Sequence, residues 1–212
     1  MPLVKIEEIT PSRHLVIWHI RETESELLHL VDNSNDLQQK LLKVKIEAKK
    51  LELLAARASL QALAKYLAFP FNGLGKNEHG KPFIIGLNSE ISITHSYPYV
   101  AVIYDAKVDV GIDLEQPKEK LLKIAHKFLS KSELKDADGD IIKLCILWSA
   151  KEAMYKIYSK RGLIFNEHMS IEPFNLQKDG TITGNIRVNE YKKKVKLQYR
   201  VTPEYVLVFN LN

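Results

Sequence analysis

One cysteine, nine glycines and eight prolines in 212 residues set the first limits on this chain. A lone Cys145 can form neither an internal disulfide nor a cysteine-based zinc site, which suits a reducing compartment. The low glycine and proline content excludes collagen-like repeats, and 45% hydrophobic residues exclude wholesale disorder. No apolar run approaches the roughly 20 residues that a membrane span requires. The N-terminus, MPLVKIEEITPSRH, lacks the basic-then-apolar layout of a signal peptide. A soluble, cytoplasmic protein is the expectation. The seven histidines show no metal-ligand spacing such as His-x-x-x-His. The loop glycines Gly73, Gly75 and Gly80 show no Walker spacing either.

What is present is a moderate positive charge with an uneven distribution. The net charge is +5; residues 1–106 hold 12 basic and 12 acidic side chains, and 107–212 hold 19 and 14. The positive field therefore belongs to the C-terminal half. The length allows one large domain or two of about 100 residues. Strand-like runs occur at 3–9, 14–20, 82–85, 90–95, 100–104 and 108–114, then at 181–188, 191–201 and 205–210. Thr23 with Glu26 has capping-box spacing and opens a short helix through Val31. Residues 36–68 carry apolar side chains at helical spacing in one long helix or two. FPFNGLGKNEHGKP, 69–82, reads as a loop. In the second half, a helix started by Pro117 runs to about Leu129. Ser130 and Glu133 form another capping box, and a long helix covers about 140–160. Strands with one dominant helix in each half predict two similar α+β lobes, 1–106 and 107–212.

Several constellations could carry chemistry. Asp113 and Glu115 in GIDLEQP lie two apart on a strand, so both carboxylates face one side while Ile112 and Leu114 face the other. Two close carboxylates suit a hard cation such as Mg²⁺, although a strand running into a polar turn would look the same. Trp148, Glu152 and Lys156 in WSAKEAMYKIY form one helical stripe. An exposed Glu-Lys pair is the commonest source of such spacing, but Trp148 implies a covered face, where a base and a phosphate-binding cation could be coupled. Thr94, His95 and Ser96 stand where a strand breaks before Pro98 and could bind an anion. Lys81-Pro82 is a candidate basic hook, and Arg57 reads by default as an exposed helical arginine. The run from Tyr191 through Lys192, Lys193, Lys194 and Lys196 reads as a solvated strand face, with too few aromatics to favour nucleic acid.

Taken together, these segments resemble the surfactin-type 4′-phosphopantetheinyl transferases. Four motifs stand in that family's order: Gly80-Lys81-Pro82, Thr94-His95-Ser96, Gly111-Ile112-Asp113-Leu114-Glu115, and Trp148-Ser149-x-Lys151-Glu152-x-x-x-Lys156. The resemblance implies a pseudo-twofold molecule of two lobes, each an antiparallel sheet packed with a long helix, with coenzyme A between them. It implies Mg²⁺-dependent transfer of phosphopantetheine to a serine hydroxyl of an apo acyl or peptidyl carrier protein, by a monomer that uses neither nucleic acid nor membrane. Asp113, Glu115 and Glu152 would face the metal and pyrophosphate. Arg57, Lys81, Pro82, Thr94 and His95 would hold the nucleotide, with Lys151 and Lys156 near the phosphate chain. Glu152 would be the base, and Lys156 would stabilise the departing phosphate. The competing expectation is a non-catalytic module whose basic half docks an acidic protein or nucleic acid.

Overall fold

The structure, a computed structural model, describes residues 3–32 and 34–212. The first half runs β1 (Leu3–Thr10), β2 (Arg13–His19), α1 (Glu24–His29), α2 (Asn35–Lys43), α3 (Glu47–Leu67), β3 (Leu74–Lys76), β4 (Pro82–Ile84), β5 (Glu90–Ser96) and β6 (Tyr99–Asp105). The second runs β7 (Ile112–Glu115), α4 (Lys120–Phe128), α5 (Lys131–Ala137), α6 (Ile141–Tyr158), α7 (Phe165–His168), β8 (Met169–Ile171), β9 (Asp179–Val188), β10 (Tyr191–Val201) and β11 (Val206–Asn210). The chain is α+β. Its two main sheets are antiparallel, ordered β1-β2-β6-β5 and β7-β11-β10-β9-β8.

The apolar alternation within β2, β6, β7 and β11 explains how these sheets stack. Val16 and Val102 point to one face, where they meet Leu60 and Leu63 of α3. Leu15, Ile17, Ala101 and Ile103 point to the other, where they meet Ile112, Leu114, Leu207 and Phe209 of the second sheet. Val206 and Val208 of β11 turn the opposite way and join a core with Ala150, Ala153 and Met154 of α6. Each sheet thus carries a long helix on one face and the other sheet on its second face. Strands buried on both faces read as continuous apolar runs, as LVIWHI and VLVF do.

Three sequence expectations differ in detail. Residues 69–82 are not wholly loop, because β3 and β4 form a short hairpin there. The Asn77 side chain accepts from the backbone N–H groups of His79 and Lys81, and Gly80 takes φ +86°, so the polar residues make the turn itself. The helix expected from Pro117 begins at Lys120, because Gln116 first donates to the carbonyls of Ser96 and Tyr97 and ties the chain to the end of β5. The strand expected from Val108 begins at Ile112. Asp105 first accepts from Lys107 N–H and Val108 N–H, and Gly111 N–H goes to the Asn210 side chain. Gly111 is also a point of close approach: a Cβ there would fall 2.1 Å from the Ala153 carbonyl oxygen of α6.

The halves are joined by charge as well as by packing. Arg13 and Asp105, cross-strand partners only 2% exposed, pair at 2.8 Å, and Arg13 Nη1 donates to the Asn210 carbonyl at 2.6 Å. Arg200 of β10 grips Glu7 of β1 with two 2.8 Å bonds, and chiefly through them the Glu7 carboxyl is held down at about 2. Arg13→Met would leave a buried Asp105 charge without its counter-ion. A loss of about 3–5 kcal/mol is expected, read as a lower urea midpoint; an unchanged midpoint would refute this role for Arg13.

Candidate active site

The site is built where the edge strands β5 and β7 of the two sheets meet. On β5, Ser92, Thr94 and Ser96 recur every second residue and so share a face. The Ser92 and Thr94 hydroxyl oxygens accept from the backbone N–H groups of Ile112 and Leu114 at 3.2 and 3.1 Å. Thr94 donates in turn to Asp113 Oδ1 at 3.0 Å, and Ser96 donates to Glu115 Oε1 at 2.9 Å. The hydroxyls therefore replace a backbone ladder and aim both carboxylates of β7 to one side.

Helix α6 brings the remaining groups. Trp148 packs edge-on to Phe128, with ring centres 5.0 Å apart, and lies 5.8 Å from Phe165, so this end of the stripe is covered. Two turns on, Lys156 Nζ donates to the Ile112 carbonyl at 2.7 Å and to Asp113 Oδ1 at 3.0 Å. Between them lies Glu152, partly buried and, among the described residues, without a hydrogen bond or ion pair. Burial, then the Asp113 charge, push its carboxyl up to about 7; Lys156 opposes this and Glu115 adds to it. Lys156 also lines a cavity of about 220 Å³ with Lys81, Pro82, Ser92, Tyr155 and Ser159. Lys81 is fastened there by Glu90 and, at 3.0 Å, by Asp109; these partners raise its pKa despite its burial.

The structure thus gathers Thr94, Asp113, Glu115, Glu152 and Lys156, with Lys81 and Pro82 on the adjoining wall. It does not bring the other expected residues into this cluster. His95 projects from the opposite face of β5, with Nδ1 3.0 Å from Glu52. Arg57 is buried on α3 rather than exposed; it donates to Ser34 Oγ at 3.1 Å and sits over the Phe71 ring. Lys151 departs furthest from expectation. It is 0% exposed and donates to Glu133 and to the carbonyls of Phe128, Phe165 and Met169 at 2.8–3.2 Å. Burial lowers its pKa even against the Glu133 charge. Its place one residue before Glu152 on a helix turns it about 100° away from the cleft and into the core. Ser92 and Glu52 were missed. Ser92 was legible in the period-two hydroxyls of SITHS; Glu52 had no local signal.

A donor set of three carboxylates suits a hard divalent cation, and Glu152, lacking a partner, is the oxygen donor left over. Among the described residues, however, no three acidic, His or Cys groups are drawn together closely enough to form a ready cation cage. Asp113 is turned to Thr94 and Lys156, and Glu115 to Ser96 and its neighbour's N–H.

Two outcomes follow from this geometry. A carboxyl raised from 4.5 to about 7 in the fold binds its proton more tightly there than in the unfolded chain. Stability is therefore lost as pH rises from about 4.5 to about 7. In buffer free of divalent ions at pH 8, Glu152→Gln should melt above the wild type by an amount equivalent to roughly 2–3 kcal/mol. A lower melting point would mean that the carboxylate is not held against repulsion. Lys151→Met should cost about 3–5 kcal/mol with no ligand present, by stranding the Glu133 charge; a variant that melts like the wild type would return Lys151 to the cleft.

Comparisons with known proteins bear on the family that the chain resembles. The family model described as 4′-phosphopantetheinyl transferase superfamily matches residues 109–209. The chain is 31% identical over 134 residues to the 4′-phosphopantetheinyl transferase Sfp of Bacillus subtilis (strain 168), covering 60% of this chain and 58% of that protein. It is 32% identical over 113 residues to the 4′-phosphopantetheinyl transferase gsp of Aneurinibacillus migulanus, covering 51% and 45%. The matches thus span about half the length of these curated relatives. Asp113, Glu115, Glu152 and Lys156 all lie inside residues 109–209, the stretch of this chain that is similar to the 4′-phosphopantetheinyl transferase superfamily.

Proposed function

We propose that this protein transfers the 4′-phosphopantetheine group of coenzyme A to a serine hydroxyl of an apo acyl or peptidyl carrier protein. The convergence of Asp113, Glu152 and Lys156 on one side of the β5–β7 junction carries the reading. The serine oxygen bonds to the phosphorus that bears the pantetheine arm, and the bond from that phosphorus to the bridging oxygen breaks. Adenosine 3′,5′-bisphosphate leaves, and the serine proton passes to Glu152. Glu152 makes no hydrogen bond among the described residues, so its oxygens are open to the serine hydroxyl. Lys156, kept in place by the Ile112 carbonyl, sets a positive charge beside the departing phosphate.

Asp113 and Glu115, with Glu152 beside them, would hold Mg²⁺, which supplies charge neutralisation at the pyrophosphate. Lys81, Pro82 and Thr94 line the route to the nucleotide, with Arg57 and His95 as further anion donors on the first lobe. Residues 1–106 and 107–212 would be the two lobes of a monomer. No helix among the described residues is long and apolar enough to cross a membrane. On the charged strand, Lys194 lies 3.3 Å from Glu172 and Lys193 lies 3.9 Å from Asp109, so two of its four lysines face acidic neighbours rather than a docking partner.

Mass spectrometry of apo carrier proteins incubated with coenzyme A and Mg²⁺ tests the proposal. One added phosphopantetheine is expected, with turnover reduced on the order of 10²-fold or more by Glu152→Gln. Asp113→Ala should remove the response to Mg²⁺ together with the activity. Full turnover by Glu152→Gln would take that residue out of the mechanism, and no added mass on any carrier would overturn the reaction.

A further inference from the structure

Glu52 of α3 takes no part in the acidic cluster, yet both of its carboxylate oxygens are engaged. Its side chain is 2% exposed. Oε2 accepts from Lys49 Nζ, one turn earlier on α3, at 2.7 Å and lies 3.0 Å from His95 Nδ1 on β5. Oε1 accepts from the Tyr97 backbone N–H at 3.0 Å. Burial alone would raise its carboxyl, but His95 and Lys49 outweigh burial and hold it at about 2, so it is ionised throughout the working range. An ionised carboxylate only accepts, so the ring nitrogen facing it must carry hydrogen. The imidazole is thereby fixed in one orientation, with Nδ1 toward Glu52 and Nε2 on the far edge of a ring that is 44% exposed.

We propose that Glu52 is a positioning residue that orients the His95 ring so that Nε2 meets an anionic oxygen of the nucleotide. Placed between a carboxylate at Nδ1 and a phosphate oxygen at Nε2, the ring carries a proton on each nitrogen and donates to both. The Tyr97 contact gives Glu52 a second hold on the end of β5, so the ring and the strand that bears it are set together. Ser96 and Thr94, on the other face of the same strand, reach the carboxylates of β7. One buried residue of α3 thereby aligns the nucleotide side of β5 with its reacting side. This inference rests on the transfer reaction proposed above.

The test is ¹⁵N NMR of the histidine rings, with adenosine 3′,5′-bisphosphate as the probe, in wild type and Glu52→Gln. In the free wild type, the His95 Nδ1 resonance should be that of a protonated nitrogen. With the probe, both ring nitrogens should be. Glu52→Gln should weaken probe binding and raise the KM for coenzyme A about 10-fold, in line with other residues that orient a ligating imidazole, with the loss falling on KM rather than on kcat. Four results would overturn the proposal: a free wild-type ring protonated at Nε2 alone, a ring unmoved by bound probe, wild-type affinity in Glu52→Gln, or a loss confined to kcat. If the wild type transfers phosphopantetheine while its His95 ring ignores the probe, only the role of Glu52 falls. If it neither binds the probe nor transfers, the transfer reaction falls and the role of Glu52 falls with it.

Discussion

The meeting of two unlike sheet edges governs this molecule. A sheet edge presents unpaired N–H groups that must be answered. Here the N–H groups of Ile112 and Leu114 are answered by the hydroxyls of Ser92 and Thr94, not by another backbone. A side-chain ladder holds strands farther apart than a backbone ladder would, and it leaves room between them. Because residues alternate along a strand, fixing the apolar residues 112 and 114 against the first sheet forces Asp113 and Glu115 toward the opposite side. The same contact that joins the halves therefore points the acids.

Electrostatics at the junction are arranged in two opposite ways. Arg13 with Asp105 and Lys151 with Glu133 are buried pairs in which the cation also donates to backbone carbonyls, and they lock elements in place. In the cleft, Asp113 and Lys156 are paired, while Glu152 is left beside two like charges with no hydrogen-bond partner among the described residues. The structure thus leaves its unresolved repulsion at the β5–β7 junction, facing the groups of α6. Elsewhere it compensates with packing from Trp148, Phe128 and Phe165, which hold α6 where burial disfavours the charge on Glu152.

Much of this was legible in the residues. The two-residue spacing of Asp113 and Glu115 gave a shared face, and the four-residue spacing of Trp148, Glu152 and Lys156 gave a stripe, because both follow from local periodicity. Capping boxes at Thr23 and Ser130 likewise formed as their spacing indicated. What escaped depends on partners distant in sequence. Lys151 looks like a phosphate ligand beside Glu152, and only the approach of Glu133 and three carbonyls from other segments shows its burial. Glu52 looks like an exposed helical carboxylate until His95 and Tyr97 arrive from β5. The hairpin at 69–82 was hidden because its strands are three residues long and its turn chemistry dominates the composition.

Gly111 has a consequence beyond tight packing. A Cβ at this position would lie 2.1 Å from the Ala153 carbonyl oxygen and 2.8 Å from Ile157. Its lack of a side chain, rather than any unusual backbone angle, is what lets α6 press onto the start of β7. Ala153 follows Glu152 directly, and Asp113 is two residues past Gly111, so one missing methyl group acts as a spacer gauge for the two acids. Even alanine at 111 would push the helix outward by a fraction of its diameter, opening the gap between Glu152 and Asp113 while every charged side chain remained present. In this fold the distance between two carboxylates is encoded by an atom that is not there.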